Sequence, residues 1–232
     1  MTRRFTGRTH LWLAAFFLAA AVLCLSTSLY GSEITAAIQK QYQTIRSFRT
    51  EFTQTLYNAA SKEKEVRQGW IAFQKPRNIH WETNTPEKEL LIVNEACVWD
   101  YFPEEKVAYR YGLKEIFSSK TMLRFITGEV NIDEDFGVER MGTEENGLIE
   151  LKLVPNNPEP SLVEARVWVE PKTHLLRKIE LTDFFSNTNT IRFENIAIDP
   201  ELDPSLFSFE PPEGVEIMDN QGVQSSYGCV SD

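Results

Sequence analysis

From residue 49 onward, apolar and polar side chains alternate with a period of two, and this alternation restricts the possible folds more than any other feature. The alternating segments are short and rich in Thr, Val, Ile and aromatic residues, and polar turns such as NAASKEK and NTPE separate them. This pattern is typical of antiparallel β-hairpins. Because no ten-residue helical pattern lies between the first segments, parallel βαβ units are excluded. The predicted strands are residues 49–57, 65–74, 78–84, 88–94, 97–102, 135–141, 147–154, 162–170, 174–184, 190–198 and 206–210.

Two segments depart from this alternation and predict helices. Residues 33–47 carry one apolar stripe with spacings of four and three, which is typical of an amphipathic helix. Residues 113–127 (LKEIFSSKTMLRFIT) suit one or two short helices. A run of about eleven antiparallel strands should curl into one strongly bent sheet, so we expect the helices across its open side. The stripe on the first helix consists of Ile34, Ile38, Tyr42, Ile45 and Phe48.

The apolar face of the first half-sheet allows two interpretations. Strand alternation places Ile71, Phe73 and Lys75 on one face of a strand and puts Ile79 and Trp81 together on the next. In the first interpretation the helices fill the curl completely, and this face is an ordinary core. In the second, a hydrophobic cavity for a lipid-like ligand remains between helices and sheet. The alternation alone leaves both interpretations open.

The N-terminus has the features of an export signal. Three arginines precede an unbroken apolar run, Leu11–Leu25, and small polar residues follow it. This order is typical of a secretory signal peptide. The run is shorter than the roughly 20 residues that a membrane span needs, although an uncleaved anchor is the alternative. We therefore expect a cleavable signal peptide over residues 1–31 and one exported domain over residues 32–232.

The cysteine count changes when the signal peptide is removed. Cys24 lies within the signal peptide, so Cys97 and Cys229 remain in the mature chain. An even pair in an oxidising compartment can form one disulfide. The alternative is two free thiols, since the sequence does not show whether the two residues lie close together.

Charge and motifs exclude several classes of function. The formal net charge is −10 and no stretch clusters Lys or Arg, so nucleic acid is not expected as a partner. His80 and His174 are isolated, with no second His or Cys at metal-ligand spacing. The common catalytic and nucleotide-binding motifs do not occur. We therefore expect no enzymatic activity, no catalytic residue, no metal and no cofactor.

Five motifs follow one another along the mature chain. The series begins with Ser47-Phe48 and Phe52-Thr53-Gln54 and continues with Gly69–Trp81 (GWIAFQKPRNIHW). It then passes through Trp99–Tyr101 and ends with Phe207–Gly214 (FSFEPPEG). In content and order, this series resembles the periplasmic outer-membrane lipoprotein carrier family of the LolA type. The resemblance spans nearly the whole mature chain.

The resemblance implies a mainly β fold, a single unclosed antiparallel β-barrel with a helical lid over a hydrophobic cavity. It implies a carrier in the periplasm of a Gram-negative bacterium that binds the acyl chains of lipoproteins released by an inner-membrane ABC complex. The carrier would deliver them to an outer-membrane acceptor lipoprotein, LolB or an equivalent. Such chains need an escort because each exposed CH₂ costs about 0.8 kcal/mol in water. We expect the carrier to be a monomer.

The resemblance also suggests which residues serve this role. Lys75 stands where the family has an arginine that hydrogen-bonds the lid, so Lys75 is the expected lid latch. Lysine keeps the charge but loses the fork of donors, and Arg77 is an alternative partner for the lid. The expected lining of the lipid-binding cavity is Ile71, Phe73, Ile79, Trp81, Trp99, Tyr101, Phe117, Leu123 and Ile126.

Two other functions stay open at this point. One is a protein of the same fold that binds another lipid or senses mislocalised lipoproteins. The other is a secreted hydrolase, which would need a nucleophile and a base within hydrogen-bonding reach, and the sequence offers no such pair. The acceptor LolB itself is disfavoured because bulky Leu23 precedes Cys24, where a lipid-attachment site needs a small residue.

Overall fold

The computed structural model describes residues 33–113 and 121–219. Twelve β-strands dominate this part of the chain. The helices are α1 (residues 33–44), α2 (Thr121–Thr127) and α3 (Ile132–Asp135), and a 3₁₀-helix covers Pro204–Phe207. The strands are β1 (Ser47–Tyr57), β2 (Lys64–Gln74), β3 (Asn78–Thr85), β4 (Glu89–Val93), β5 (Val98–Phe102), β6 (Val107–Tyr111), β7 (Phe136–Thr143), β8 (Ile149–Pro155), β9 (Glu164–Val169), β10 (Leu176–Thr182), β11 (Thr188–Ile198) and β12 (Glu216–Asp219).

All twelve strands form one sheet in the order β12-β6-β5-β4-β3-β2-β1-β11-β10-β9-β8-β7. Consecutive strands pair as antiparallel hairpins from β1 to β6 and from β7 to β11, and β1 pairs with β11 to join the two halves of the sheet. Only β12 runs parallel to its neighbour, β6. Strands β7 and β12 stand at the two ends of the order, so the sheet is not closed. The predicted mainly β, unclosed fold is confirmed.

The hairpin turns define two ends of this curled sheet. One end, here called the Lys75 end, carries the turns at residues 75–77, 94–97 and 170–175. The other, here called the Tyr57 end, carries the turns at residues 58–63 and 183–187. The two ends differ in how completely the concave face is filled.

Helices α1 and α2 cover the concave face and form its core with the strands. Ile38 and Ile45 from the predicted stripe are 2% and 3% exposed, and they belong to the same buried cluster as Ile71, Phe73 and Ile79. Leu123, Phe125 and Ile126 of α2 enter the same cluster. Burial of this apolar surface is the main stabilising contribution to the fold.

Helix α1 ends at residue 44, three residues before the predicted end. The carboxylate of Asp199, which follows β11, accepts hydrogen bonds from the backbone N–H groups of Arg46 (2.8 Å) and Ser47 (3.1 Å). These bonds favour the extended backbone that starts β1 at Ser47. The N–H groups of Ser47 and then of Arg46 hold the pKa of Asp199 below its ordinary value.

The predicted strands differ from the structure at three places, where two observed strands were not predicted and one predicted strand does not form. Strands β6 and β12 were not predicted; both are short, and the alternation along β6 is weak. The predicted strand at 206–210 is wrong, because a 3₁₀-helix forms instead over Pro204–Phe207. Its start is favoured by Pro204, which lacks an N–H, and by the Asp203 carboxylate, which accepts the N–H of Ser205.

A second, smaller apolar cluster lies on the outer face of the sheet. It consists of buried Ile92, Cys97, Trp99 and Ala108, with partly buried Leu90, Tyr101, Phe209 and Val215 packed against it. The segment that follows the 3₁₀-helix therefore covers the outside of the first half-sheet. Within the described residues, no helix is long and apolar enough to span a membrane.

Candidate functional site

The turn between β2 and β3 contacts the end of helix α1. The ammonium group of Lys75 donates hydrogen bonds to the carbonyl oxygens of Tyr42 (3.0 Å) and Gln43 (2.8 Å), which lie in the last turn of α1. Such carbonyls have no partner within their own helix, and a positive charge is favourable there. Lys75 therefore joins the sheet to a helix that covers the concave face, in the position predicted for a latch. Its effect on opening stays a prediction.

Arg77 contacts a different part of the cover. Its guanidinium forms an ion pair with Glu129 (2.9 Å), two residues beyond the end of α2. The two cations flanking Pro76 thus hold two separate elements, Lys75 the end of α1 and Arg77 the segment after α2. Arg77 does not substitute for Lys75, because it makes its own contact.

The cover is also tied together from within. The side-chain amide of Gln39 on α1 donates to the carbonyl of Val130 (3.0 Å) and accepts the N–H of Ile132 (3.2 Å). The Gln39 side chain therefore pairs with one backbone carbonyl and one backbone N–H in the link between α2 and α3. Gln39 was not predicted as a site residue, because helical periodicity places it on the polar side of α1.

Tyr42 anchors the same end of α1 to the second half-sheet. Its hydroxyl accepts the backbone N–H of Leu176 (3.3 Å). Burial raises the pKa of Tyr42 to about 12, so the phenol is neutral at physiological pH. The ring lies against Gly128, where a Cβ atom would be 2.9 Å from that of Tyr42. Tyr42 and Gly128 therefore set how closely α1 approaches the segment after α2.

A cavity of about 980 Å³ opens at the Tyr57 end. It lies between the β1–β4 strands, the β10–β11 hairpin and the first turn of α2. Its volume lies at the upper end of the range of roughly 300–1,000 Å³ for small-molecule sites. Part of the wall is polar, including Gln54 and Asn189, which hydrogen-bond to each other at 2.9 Å. The apolar wall is formed by Leu56, Trp81, Leu91, Met122, Leu123 and Leu181.

The Lys75 end of the concave face is filled by the helices. The space left between α1, Ile126 and the second half-sheet is only about 20 Å³. Both interpretations of the concave face therefore apply, each at one end: a packed core at the Lys75 end and an open cavity at the Tyr57 end.

Of the nine predicted lining residues, Trp81 and Leu123 line the cavity. Trp81 is partly exposed, and its ring meets that of Phe52 edge-on at 5.2 Å between centroids. Four more lie in the packed part of the same cluster, each 3% exposed or less, and do not reach the cavity: Ile71, Phe73, Ile79 and Ile126. Phe117 lies outside the described residues.

The prediction for Trp99 and Tyr101 is wrong. Both rings belong to the outer cluster and pack against Phe209 in tilted arrangements, with ring centroids 5.6 and 5.2 Å away. On β5 it is Val98 that faces the concave side. Alternation separates the two faces of a strand but does not say which face is concave, and the aromatic residues of β5 are buried by the C-terminal segment instead.

The remaining predicted residues play other parts. Cys97 is 2% exposed and disulfide-bonded, but Cys24 and Cys229 both lie outside the described residues, so a bridge from Cys97 to Cys229 stays a prediction. His80 stacks on Trp70, and its ring nitrogens contact the carbonyl of Leu206 (2.8 Å) and the carboxylate of Glu82 (3.3 Å). Across residues 33–113 and 121–219, no cluster of His, Cys, Asp or Glu is suited to bind a metal ion.

Several lining residues were missed, although the sequence held a signal for them. Leu91 pairs directly with Trp81 across β3 and β4 and shares its face. Met122 precedes Leu123, and Leu181 follows Ile179 on the buried face of β10. A pairing of the predicted strands would have added Leu91 and Leu181 to the list. Alternation along β1 also places Leu56 on the same face as Phe52 and Gln54.

Comparisons with known proteins agree with this architecture. The chain is 29% identical over 178 residues to the outer-membrane lipoprotein carrier protein of Methylococcus capsulatus, covering 76% of this chain and 83% of that relative. It is 28% identical over 202 residues to the outer-membrane lipoprotein carrier protein of Nitrosomonas europaea, covering 85% and 96%. A solved structure of an uncharacterized conserved protein from Thermus thermophilus superposes with a TM-score of 0.51 at 10% identity, covering 81% of this chain and 98% of that one.

The last likeness shows the shared fold alone. The family assignment rests on a sequence family model described as outer membrane lipoprotein carrier protein LolA, which matches residues 43–210. The matched region contains the Lys75 turn, the cavity and helices α2 and α3. The chain therefore belongs to the LolA family of outer membrane lipoprotein carrier proteins.

Proposed function

We propose that this protein is a periplasmic carrier that binds the acyl chains of lipoproteins and releases them at the outer membrane without any bond chemistry. The observation that carries the proposal is the half-filled concave face, where an open cavity continues into a buried apolar wall beneath the helices. The relatives named as lipoprotein carriers support the nature of the ligand.

Acyl chains are a suitable ligand for such a wall. Each CH₂ group taken out of water contributes about 0.8 kcal/mol, so a single chain of ordinary length supplies a large driving force. The apolar side of the cavity, with Trp81 and Leu123, offers the first contact. The packed residues behind it, including Ile79 and Ile126, offer further apolar surface when the helices move away.

Opening must cost little for such a carrier to load and unload. The described ties between α1, the segment after α2 and the sheet at this end include polar contacts of Lys75, Arg77 and Gln39, of which the Lys75 and Arg77 contacts are exposed. Exposed contacts of this kind stabilise by about 1 kcal/mol or less each. A ligand that binds only the open form shifts the equilibrium by its difference in affinity between the two forms.

The pathway follows from the same proposal. The signal peptide over residues 1–31 would export the chain, an inner-membrane ABC complex would supply the lipoproteins, and an outer-membrane acceptor of the LolB kind would receive them.

The polar part of the cavity wall, with Gln54 and Asn189, favours one alternative ligand, a different lipid whose polar head lies there.

The test is release of a lipoprotein from membranes. We expect residues 32–232, added to spheroplasts, to recover a soluble complex with an acylated lipoprotein. The same lipoprotein with its acylated cysteine replaced by serine should not be recovered. Mass spectrometry of the protein isolated from periplasm should show bound acylated lipoprotein, whereas only free lipid or glycolipid would support the alternative ligand, and no bound acyl group would contradict both.

Two aromatic variants make the site assignment testable. Trp81→Ala should lower recovery of the lipoprotein at least tenfold, because it removes apolar surface from the cavity wall. Tyr101→Ala, a partly buried aromatic on the outer face of the same half-sheet, is the matched control and should recover the lipoprotein as the wild type does. Equal loss in both variants would contradict the assignment of the cavity.

A further inference from the structure

Two adjacent phenylalanines stand at the tip of the β10–β11 hairpin. Phe184 is 70% exposed and Phe185 is 72% exposed, the highest values among the exposed large hydrophobic side chains of the described residues. Their rings meet edge-on, with centroids 5.6 Å apart. Single exposed apolar residues are common on protein surfaces, but two neighbouring aromatic rings at one tip form a compact apolar projection.

The backbone beneath the two rings is well ordered by hydrogen bonds. The carboxylate of Asp183 accepts the backbone N–H groups of Phe185 and Asn187, each at 2.8 Å, and also the side-chain amide of Asn187. The N–H of Phe184 donates to the carbonyl of Pro160 (2.9 Å). The N–H of Ala59, in the neighbouring β1–β2 turn, donates to the side chain of Asn187 (2.9 Å). The backbone of the tip is therefore braced by two adjacent loops.

The tip stands at the mouth of the cavity. Asp183 and Asn187, which support the rings, are themselves part of the cavity lining, and so is Leu181 just before them. The hairpin belongs to the Tyr57 end, where the cavity opens, and not to the packed Lys75 end. Whatever surface the two rings contact is thereby brought next to the cavity.

The size of the projection distinguishes between kinds of partner. A buried aromatic side chain covers about 150–250 Å², so two rings at these exposures present roughly 280 Å². A specific protein–protein interface needs about 800 Å² on each partner. The neighbouring turn carries both signs of charge, Lys62 and Glu63, and so supplies no single-sign field for a charged partner. A bilayer needs no complementary surface and accepts an aromatic tip at its interface.

We propose that Phe184 and Phe185 form a membrane-contact tip that inserts into the interfacial region of a phospholipid bilayer and holds the mouth of the cavity against it. This inference rests on the proposed function for its purpose, since the lipoproteins that the carrier would receive and deliver are anchored in membranes by their acyl chains. Contact through the tip shortens the distance over which an acyl chain crosses water.

Flotation with vesicles of zwitterionic phosphatidylcholine tests the tip directly. The wild-type chain should float with the vesicles and stay bound in high salt, because the contact is apolar. The double variant Phe184→Ser with Phe185→Ser should float at least tenfold less, and the double variant to Leu should float as the wild type does. The matched control is Met141→Ser with Met218→Ser, which removes two exposed apolar side chains (46% and 38%) from strands away from the tip.

The outcomes separate this inference from the proposed function. Equal flotation of the double Ser variant and the wild type, no flotation of the wild type, or loss of binding in high salt would each overturn the membrane-contact tip. A double Ser variant that floats as the wild type does but no longer crosslinks to a membrane protein would also overturn the membrane-contact tip. That result would assign the two rings to a protein partner.

Capture of an acylated lipoprotein from detergent micelles tests the carrier function without a bilayer. The double Ser variant should capture as well as the wild type, while its exchange of acyl chains with vesicles should slow at least tenfold. Wild-type chain that floats but captures nothing would contradict the carrier function and leave the tip intact.

Discussion

At the scale of single residues, Lys75 links the sheet to a helix through two backbone carbonyls. Its ammonium donates to Tyr42 and Gln43, while its own N–H donates to the carbonyl of Arg46 at 2.8 Å. An ammonium on a flexible stem can reach two adjacent carbonyls, which suits the end of a helix as well as a planar guanidinium suits a carboxylate. Lys75 therefore contacts the lid as the family's arginine is expected to do, but with a single ammonium group bonded to two backbone carbonyls.

We expect Lys75→Leu to leave the fold intact and lower the free energy of unfolding by about 0.5–1 kcal/mol. Loss of the two bonds should favour the open form, so amide hydrogen exchange at the end of α1 should speed up and delivery of bound lipoprotein to an acceptor should slow. Lys88→Leu, an exposed lysine in the β3–β4 turn, is the control. Unchanged exchange and transfer rates in Lys75→Leu would refute a latch.

Glycine is required at position 69 because strands β2 and β3 approach each other too closely there for a side chain. A Cβ at this position would lie 1.8 Å from the carbonyl oxygen of Glu82, and the ring of Phe52 is 3.0 Å away. We expect Gly69→Ala to force β2 and β3 apart and to lower the free energy of unfolding by roughly 1–3 kcal/mol. Gly137→Ala, where the nearest atom is 3.8 Å away, is the control for urea denaturation. Equal stability of the two variants would show that the strands adjust freely.

At the scale of elements, polar side chains connect the pieces that cover the sheet. Gln39 joins α1 to the α2–α3 link, Lys75 joins α1 to the sheet, and Arg77 joins the sheet to the segment after α2. The sheet itself is continuous from β12 to β7, so the strands form one frame beneath the helices.

We expect Gln39→Leu to loosen the α2–α3 link, because it leaves the carbonyl of Val130 and the N–H of Ile132 without the Gln39 amide. The cost should be about 1–3 kcal/mol in the free energy of unfolding. Hydrogen exchange at residues 130–132 should speed up well before global unfolding. Gln43→Leu, on the exposed side of the same helix, should change neither, and a matching effect there would point to helix propensity instead.

At the scale of the whole molecule, the curled sheet is filled at one end and open at the other. The Lys75 end holds α1 and the partly buried side chain of Tyr42, and the Tyr57 end holds the cavity and the exposed phenylalanine pair. Because of this asymmetry, one domain has both a packed core and an open cavity with an apolar wall.

The buried phenol predicts how global stability depends on alkaline pH. The pKa of Tyr42 is raised from 10.0 to about 12 in the folded chain, so the folded state keeps a proton that the unfolded state loses. Its contribution to stability is complete below pH 10 and is lost as the pH rises towards 12. The stability difference between wild type and Tyr42→Phe, from urea denaturation at about pH 9 and about pH 11, should therefore shrink or reverse at the higher pH. A constant difference would contradict this prediction.

Much of the fold could be predicted because alternation is a local property of the chain. Ten of the predicted strands correspond to observed ones, and in the predicted helix stripe Ile38 and Ile45 are buried while Ile34 and Tyr42 are partly buried. Strand β12 escaped prediction because its four residues depend on pairing with β6, more than a hundred residues away. The strand predicted at 206–210 failed because Asp203 and Pro204 favour a helical turn.

The candidate site was predictable in part for the same reason. Trp81 and Leu123 were found from the pattern and the family resemblance, and both line the cavity. Trp99 and Tyr101 were assigned to the concave side, yet Phe209 covers them on the outer side. The contact between β5 and a segment more than a hundred residues later has no signal in the sequence of either part.

The sequence by itself determined that this chain forms antiparallel hairpins with an amphipathic helix, because side-chain periodicity is set by local backbone geometry. It also carried the family motifs around Lys75. Only the tertiary structure decided which face of each strand is concave, where the helices stop filling it, and which end keeps a cavity. These features depend on contacts between elements that are distant along the chain, and packing volume decides them, which no local pattern records.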